Sequence, residues 1–202
     1  MKLVIIDYGM GNLKSINSAF EYLGVSQIVV SNKYEDIKSA DKLLLPGVGS
    51  FSKAIDNLNK LELNKILDEI VIEKQKPILG ICLGMQLLCQ NSEEDGGANG
   101  LSYINAVCKK FTTNLKIPHV GFNQVKINKE ANLFHGFDDN VDFYFTHSYK
   151  LTSESNLKQS LTQYDEEFIS AYEVGHILGT QFHPELSQTN GLKLLKNFIE
   201  KF

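Results

Sequence analysis

The first half of the chain holds four short apolar runs, Lys2–Asp7, Gln27–Ser31, Lys42–Leu45 and Pro77–Ile81, interleaved with turns and stretches of helical spacing. This alternation constrains the fold more than any other feature. Strands that pair in parallel must be returned to the same end by a crossover, and the crossover helices then cover both faces of the sheet. After the first run, Leu13, Ile16, Phe20 and Leu23 recur at helical steps and Gly24 stands where a helix ends. The third run leads through Pro46–Ser50 to helical stretches ending near Lys76, and the fourth into a helix with Leu83, Leu87 and Leu88 buried. Asn32–Ala40 reads as a polar connection.

From Gly96-Gly97 onward the pattern changes to strand-like segments parted by polar turns: Ala106–Phe111, Asn123–Ile127, Val141–Phe145, Ser148–Leu151, Phe168–Val174 and Ile177–Phe182, with a closing helix. This half reads as mostly antiparallel. The fold expected is one α/β domain over residues 1–202, with a mixed, mainly parallel sheet, helices on both faces and an antiparallel extension. At 202 residues the core needs no staple.

All 20 cations are Lys, so no arginine finger or bidentate guanidinium fork exists, and a net charge of −4 gives no footprint for nucleic acid or an anionic membrane. The N-terminal apolar run is too short for a signal sequence or a membrane span. Three cysteines with no CxxC pair indicate neither a disulfide framework nor a zinc site, and a reducing cytoplasm is expected.

Gly80-Ile81-Cys82-Leu83-Gly84 places a nucleophile where an apolar strand turns sharply into a helix. This is a nucleophile elbow with Cys in place of Ser. The helix start aims free N–H groups at the sulfur and offers the Leu83 amide to an oxyanion. His183 follows the apolar run Ile177–Phe182, where the ends of α/β strands gather, and Glu185 lies near enough to hold its tautomer. The Gly9-Met10-Gly11 turn fails as a dinucleotide fingerprint because Lys14 occupies the third glycine position, and Pro46–Ser50 lacks a P-loop ending. Gly47-Val48-Gly49 is left as a loop able to add backbone N–H groups beside the elbow. His119 and His147 lie in the unusual strings PHVGFN and FYFTHSY.

With the strings IDYGMGN, LPGVGSF, LGICLGMQLL, NSEE, PHVGFN, FYFTHSY and GTQFHPELS, the chain resembles a class I (triad) glutamine amidotransferase domain nearly end to end. Within that family it is similar to glutaminase subunits of imidazole glycerol phosphate synthase. The resemblance implies Cys82 as nucleophile, His183 as base and acid, Glu185 as orienting carboxylate, and Gly49 with Leu83 as oxyanion donors. It implies Gln86, Glu94, Ser148 and Tyr149 as the holders of L-glutamine's α-groups. Pro118, His119, Phe122, Asn123 and Tyr144 would face a (βα)8-barrel cyclase partner in a heterodimer, with ammonia channelled between the subunits and no metal or cofactor needed. Phe122 departs from the Trp usual in that string, which leaves open a paralogue serving another synthase, such as one amidating a surface-polysaccharide sugar. An elbow cysteine also suits a peptidase, against which the Gln86/Glu94 pair speaks. A catalytically silent binding subunit would lack a triad member, and none is missing.

Overall fold

The computed structural model describes residues 1–202. The first half runs β1 (Lys2–Ile6), α1 (Leu13–Tyr22), β2 (Gln27–Ser31), α2 (Tyr34–Ser39), β3 (Lys42–Leu45), α3 (Phe51–Lys60) and α4 (Leu63–Leu67). A π-helical turn over Asp68–Glu73 extends α4, and β4 (Ile78–Ile81) and α5 (Leu83–Leu87) follow. The second half holds β5 (Asn91–Ser92), β6 (Ala98–Asn99), β7 (Val107–Lys110), β8 (His119–Lys126), β9 (Asn140–His147) and β10 (Tyr149–Thr152). It ends with β11 (Ser160–Tyr164), β12 (Glu166–Val174), β13 (Ile177–Thr180) and α6 (Gln188–Lys201).

Strands β2-β1-β3-β4-β13 lie side by side and all parallel. The sheet then continues antiparallel through β12, β10 and β7, while β11 ties in the long β8–β9 pair. The mixed sheet therefore matches the sequence reading with one adjustment. The second half is antiparallel except for the short parallel pair β5–β7 and for β13, which turns back to become the last member of the parallel set.

Alternation along the strands divides the core. Val4, Ile6, Leu43 and Leu45 face one side, packed under α2 to α5, whereas Leu3, Ile5, Leu44, Leu79 and Ile81 face the other, under α1 and α6. Strands buried on both faces read as continuous apolar runs, which is why the parallel half was legible. No helix is long and apolar enough to cross a membrane.

The structure differs from the sequence reading in the two-residue strands β5 and β6, too short to leave an alternation, and in three longer elements. Asn32–Ala40 contains α2, whose one buried residue is Ile37; Glu35 and Asp36 in its first turn and Lys38 in its last complement the helix dipole. A single apolar anchor gives no periodicity to read. Strand β8 begins at His119, earlier than the apolar pattern indicates, because Val120 and Phe122 face outward while His119 is buried and Asn123 half-buried. Strand β11, Ser-Leu-Thr-Gln-Tyr, buries Ser160 and Thr162 and so carries no apolar alternation.

Phe198 of α6 is fully buried in the α1/α6 layer. Phe198→Ala is expected to cost about 3–5 kcal/mol, the range for deleting a core aromatic, read as a lower urea midpoint at unchanged m-value.

Candidate active site

Because β3, β4 and β13 are adjacent and parallel, their carboxyl ends open on one edge of the sheet, where α/β proteins place their sites. The register sets Leu45 beside Gly80 and Ile81 beside Thr180, so the Pro46–Gly49 loop, Cys82 and Gln181 leave the sheet together.

Cys82 has φ 54° and ψ −111°, a strained conformation for a residue with a side chain. It is anchored on both sides: its N–H donates to the Thr180 carbonyl at 2.7 Å, and its carbonyl accepts from the Gln86 N–H at 3.2 Å. The flanking glycines are a packing necessity. A Cβ on Gly84 would lie 1.8 Å from the Leu45 oxygen, and one on Gly80 would lie 2.7 Å from the Gly84 oxygen. The sulfur is 7% exposed at the level of its residue and faces two polar groups. As a thiol, Sγ donates to the Thr146 carbonyl at 3.8 Å, and Gln181 Nε2 donates to Sγ at 3.7 Å.

His183 lies just past β13. Its backbone N–H donates to the Tyr144 carbonyl at 2.8 Å, and Ser187 Oγ donates to its carbonyl at 2.6 Å while accepting the Tyr144 N–H at 2.9 Å. The short helical turn Pro184–Leu186 swings Glu185 back so that Oε1 meets His183 Nδ1 at 2.8 Å, with both side chains at most 5% exposed. Burial by itself pushes the imidazole's pKa down. The Cys82 side chain beside it and the hydrogen bond and charge of Glu185 more than reverse this and raise it to about 10. The imidazole is therefore built to hold a proton beside the Cys82 sulfur.

A cleft of about 310 Å³ in front of the sulfur is lined by Val48, Gly49, Leu83, Gln86, Glu94, Pro118, Ser148 and Tyr149 together with Cys82, Thr146 and His147. The residues expected at the oxyanion and glutamine positions thus line one cleft, apart from Gly47. That glycine packs behind the loop, where a Cβ would meet Tyr8 Oη at 2.5 Å. Tyr8 Oη donates to the Pro46 carbonyl at 2.6 Å, and burial keeps its phenol protonated far above the ordinary range. Gly49 has φ +108°, a region that favours glycine. Glu94 Oε2 accepts the Phe51 N–H at 2.9 Å and Asp95 accepts from Ser50 Oγ at 2.8 Å, so the segment carrying Glu94 clasps the residues after the loop. Burial raises the Glu94 pKa, opposed by the Phe51 N–H.

Beside the cleft, Phe122 and Tyr144 pack edge to face at 5.6 Å on β8 and β9, with Phe122 52% and Val120 57% exposed. Pro118 is exposed there too. His119 corrects the sequence reading: its side chain is buried and turned inward against His147, so it offers no ring to a partner. Four residues escaped the sequence reading of the site: Gln181, Thr146, Tyr8 and Ser187. Gln181 left one signal, a polar residue at the end of the apolar run Ile177–Phe182.

The family model described as glutamine amidotransferase class-I matches residues 4–202, and the chain belongs to that family. It is 46% identical to imidazole glycerol phosphate synthase subunit HisH 1 of Campylobacter jejuni (strain RM1221), over 98% of each chain. It is 44% identical to imidazole glycerol phosphate synthase subunit HisH of Aquifex aeolicus (strain VF5), over 100% of this chain and 97% of that one. A crystal structure of a glutamine amidotransferase shares the fold with a TM-score of 0.76 at 16% identity, covering 98% of this chain and 97% of the other.

Gly84→Ala drives a Cβ into the Leu45 carbonyl, so it is expected to cost more than about 3 kcal/mol, or to prevent folding, in thermal and urea unfolding.

Proposed function

We propose that the chain is the glutaminase subunit of an imidazole glycerol phosphate synthase. It hydrolyses L-glutamine to glutamate and ammonia with Cys82 as nucleophile, His183 as acid and base, and Glu185 as orienting carboxylate. The ammonia passes to a cyclase subunit of (βα)8-barrel fold. One observation carries this reading: a strained elbow cysteine opens on a polar cleft beside a histidine that a buried carboxylate and the cysteine hold protonated. The full-length similarity to synthase subunits supports the pathway.

In this mechanism Gln86 Oε1 and the Glu94 carboxylate accept the α-ammonium, while the backbone around Ser148 and Tyr149 holds the α-carboxylate. The Cys82 thiolate attacks the side-chain amide carbon, and the carbonyl π pair moves onto oxygen. The Leu83 amide and the loop at Gly49 receive that oxyanion; one such donor lowers the barrier by about 3–4 kcal/mol. His183 gives its proton to nitrogen, the C–N bond breaks, and ammonia leaves. Neutral His183 then takes a proton from water, the hydroxide attacks the thioester, and the C–S bond breaks to return thiolate and glutamate. The exposed Pro118, Val120 and Phe122 with half-buried Tyr144 form the docking face for the cyclase, whereas Asn123, on the His119 side of β8, turns its amide to His119 and the Gln163 carbonyl.

The test is glutamate release from glutamine by the purified chain, alone and with a histidine-pathway cyclase carrying its ribonucleotide ligand. Strong stimulation is expected. Its absence, with Cys82 still labelled by a reactive glutamine analogue, would move the chain to another ammonia-accepting synthase. Cys82→Ala is expected to abolish hydrolysis, a loss of at least about 10⁴-fold, while cyclase binding by calorimetry persists.

The imidazolium supplies the leaving-group proton, so kcat at saturating glutamine is expected to fall as pH rises through about 10. The limb belongs to the Cys82–His183 pair as a unit. Glu185→Gln removes an anion that raises the imidazole pKa, so its basic limb should move to lower pH. An unmoved limb in a pH–rate profile would remove Glu185 from this role.

A further inference from the structure

His119 and His147 are buried imidazoles that the mechanism above does not use. Their hydrogen bonds run in one determined direction. His147 Nδ1 lies 2.7 Å from the Tyr149 carbonyl, which can only accept, so Nδ1 carries the proton. Burial pushes both rings' pKa values down, to about 3 for His147 and about 4 for His119, so each ring is neutral and has one bare nitrogen. His147 Nε2 is then the bare one and accepts from His119 Nδ1 at 3.0 Å. His119 Nε2, bare in turn, accepts from Asn123 Nδ2 at 3.2 Å. The Asn123 amide is oriented independently, since Nδ2 also donates to the Gln163 carbonyl at 3.1 Å and Oδ1 accepts the Gln124 N–H at 2.7 Å.

The chain of bonds continues to the nucleophile. The Tyr149 carbonyl also accepts Gln86 Nε2 at 3.2 Å, Gln86 Nε2 donates to Gln181 Oε1 at 2.9 Å, and Gln181 Nε2 reaches Cys82 Sγ. Every donor and acceptor along this line has its role set by the next. Aromatic rings fix the pair sideways: His119 stacks on Tyr164 at 4.0 Å and on Phe145 at 4.9 Å, and His147 packs against Phe111 and Phe168 at 5.3 and 5.1 Å.

We infer that His147, backed by His119, is a positioning residue for the glutamine cleft: each ring is protonated on Nδ1 and bare on Nε2, and together they hold the Tyr149 carbonyl, and through it Gln86, in place beside Cys82. The pair touches no reacting atom. It sets the cleft wall that grips the substrate's α-groups, so its loss falls on substrate binding rather than on the chemical step. The kinetic consequence rests on the glutaminase reading, whereas the proton positions do not.

The test has two arms. In the first, nitrogen-15 NMR of the histidine rings in the intact chain distinguishes protonated from bare nitrogens. Protons on Nδ1 of both rings are expected, and a proton on Nε2 of either neutral ring overturns the inference. In the second, with the cyclase present, His147→Phe keeps the ring's bulk but removes both bonds. It is expected to raise the KM for glutamine about tenfold or more while kcat falls less than about threefold. His147→Asn, whose Nδ2–H can still reach the Tyr149 carbonyl, should recover KM to within about threefold of the parent. A KM for His147→Phe within about twofold of the parent, or a folded His147→Asn as impaired as His147→Phe, overturns the inference. Should His147→Phe fail to fold, His147→Asn and the ring nitrogens still decide. A parent chain that neither hydrolyses glutamine nor reacts with a glutamine analogue would instead sink the glutaminase reading, and the NMR arm would still judge the histidine pair.

Discussion

The approach of helix α5 to strands β3 and β4 is the constraint on which the site depends. With hydrogen atoms alone at Gly80 and Gly84, the helix can begin directly against the Leu45 carbonyl, and the turn between strand and helix can close on the single residue Cys82. That turn holds Cys82 in a conformation costing about 1–3 kcal/mol, which survives only when its surroundings over-determine it. They do so through the sheet. The Cys82 N–H continues the ladder to β13, the Gln86 N–H closes the first helical turn on Cys82, and the buried Tyr172 hydroxyl donates to the Met85 carbonyl at 3.1 Å. The same parallel register that strains Cys82 delivers the Pro46–Gly49 loop on one side of it and His183 on the other.

Three buried histidines share this edge of the molecule, and their charges are set by their partners. His183 faces the Glu185 carboxylate and the Cys82 side chain, and together these outweigh the cost of burying an imidazolium. His119 and His147 face a carbonyl, an amide and each other, none of which repays that cost, so both are neutral. Burial acts in the same direction on all three. The same side chain is thus held protonated in one place and as a neutral donor–acceptor strut in another, with the distinction made entirely by what each ring touches.

How much of this was legible follows from the kind of signal each part leaves. Strands β1, β3 and β4 are apolar at nearly every position because both faces are covered, and the elbow glycines announce a steric necessity at fixed spacing, so the parallel half and Cys82 could be read directly. The contact between His183 and Glu185 was readable because the two are close in sequence. Strands β8 and β11 were obscured because they bury Ser, Thr and His while turning Val120 and Phe122 outward, which inverts the usual pattern. The inward turn of His119 was illegible for a related reason. Alternation alone places it on the face opposite Phe122, but only the register pairing His119 with His147 identifies what it meets there.

The two halves of the sheet divide the work of the cleft. The parallel half contributes Val48, Gly49, Cys82, Leu83 and Gln86, whereas Pro118 lies just before β8 and Thr146–Tyr149 come from β9 and the start of β10. Strand β12 joins them, pairing with β13 on one edge and with β10 and β11 on the other. The Ser148–Tyr149 wall of the cleft is therefore carried at the end of a strand pair whose outer face exposes Val120 and Phe122. Any partner pressing on that face acts on the backbone of β9, and Tyr144 in that strand shares two hydrogen bonds with the His183–Ser187 segment. The exposed face of β8 and β9, the Thr146–Tyr149 wall of the cleft and the His183–Ser187 segment are thus joined through the backbone of one strand and its hydrogen bonds.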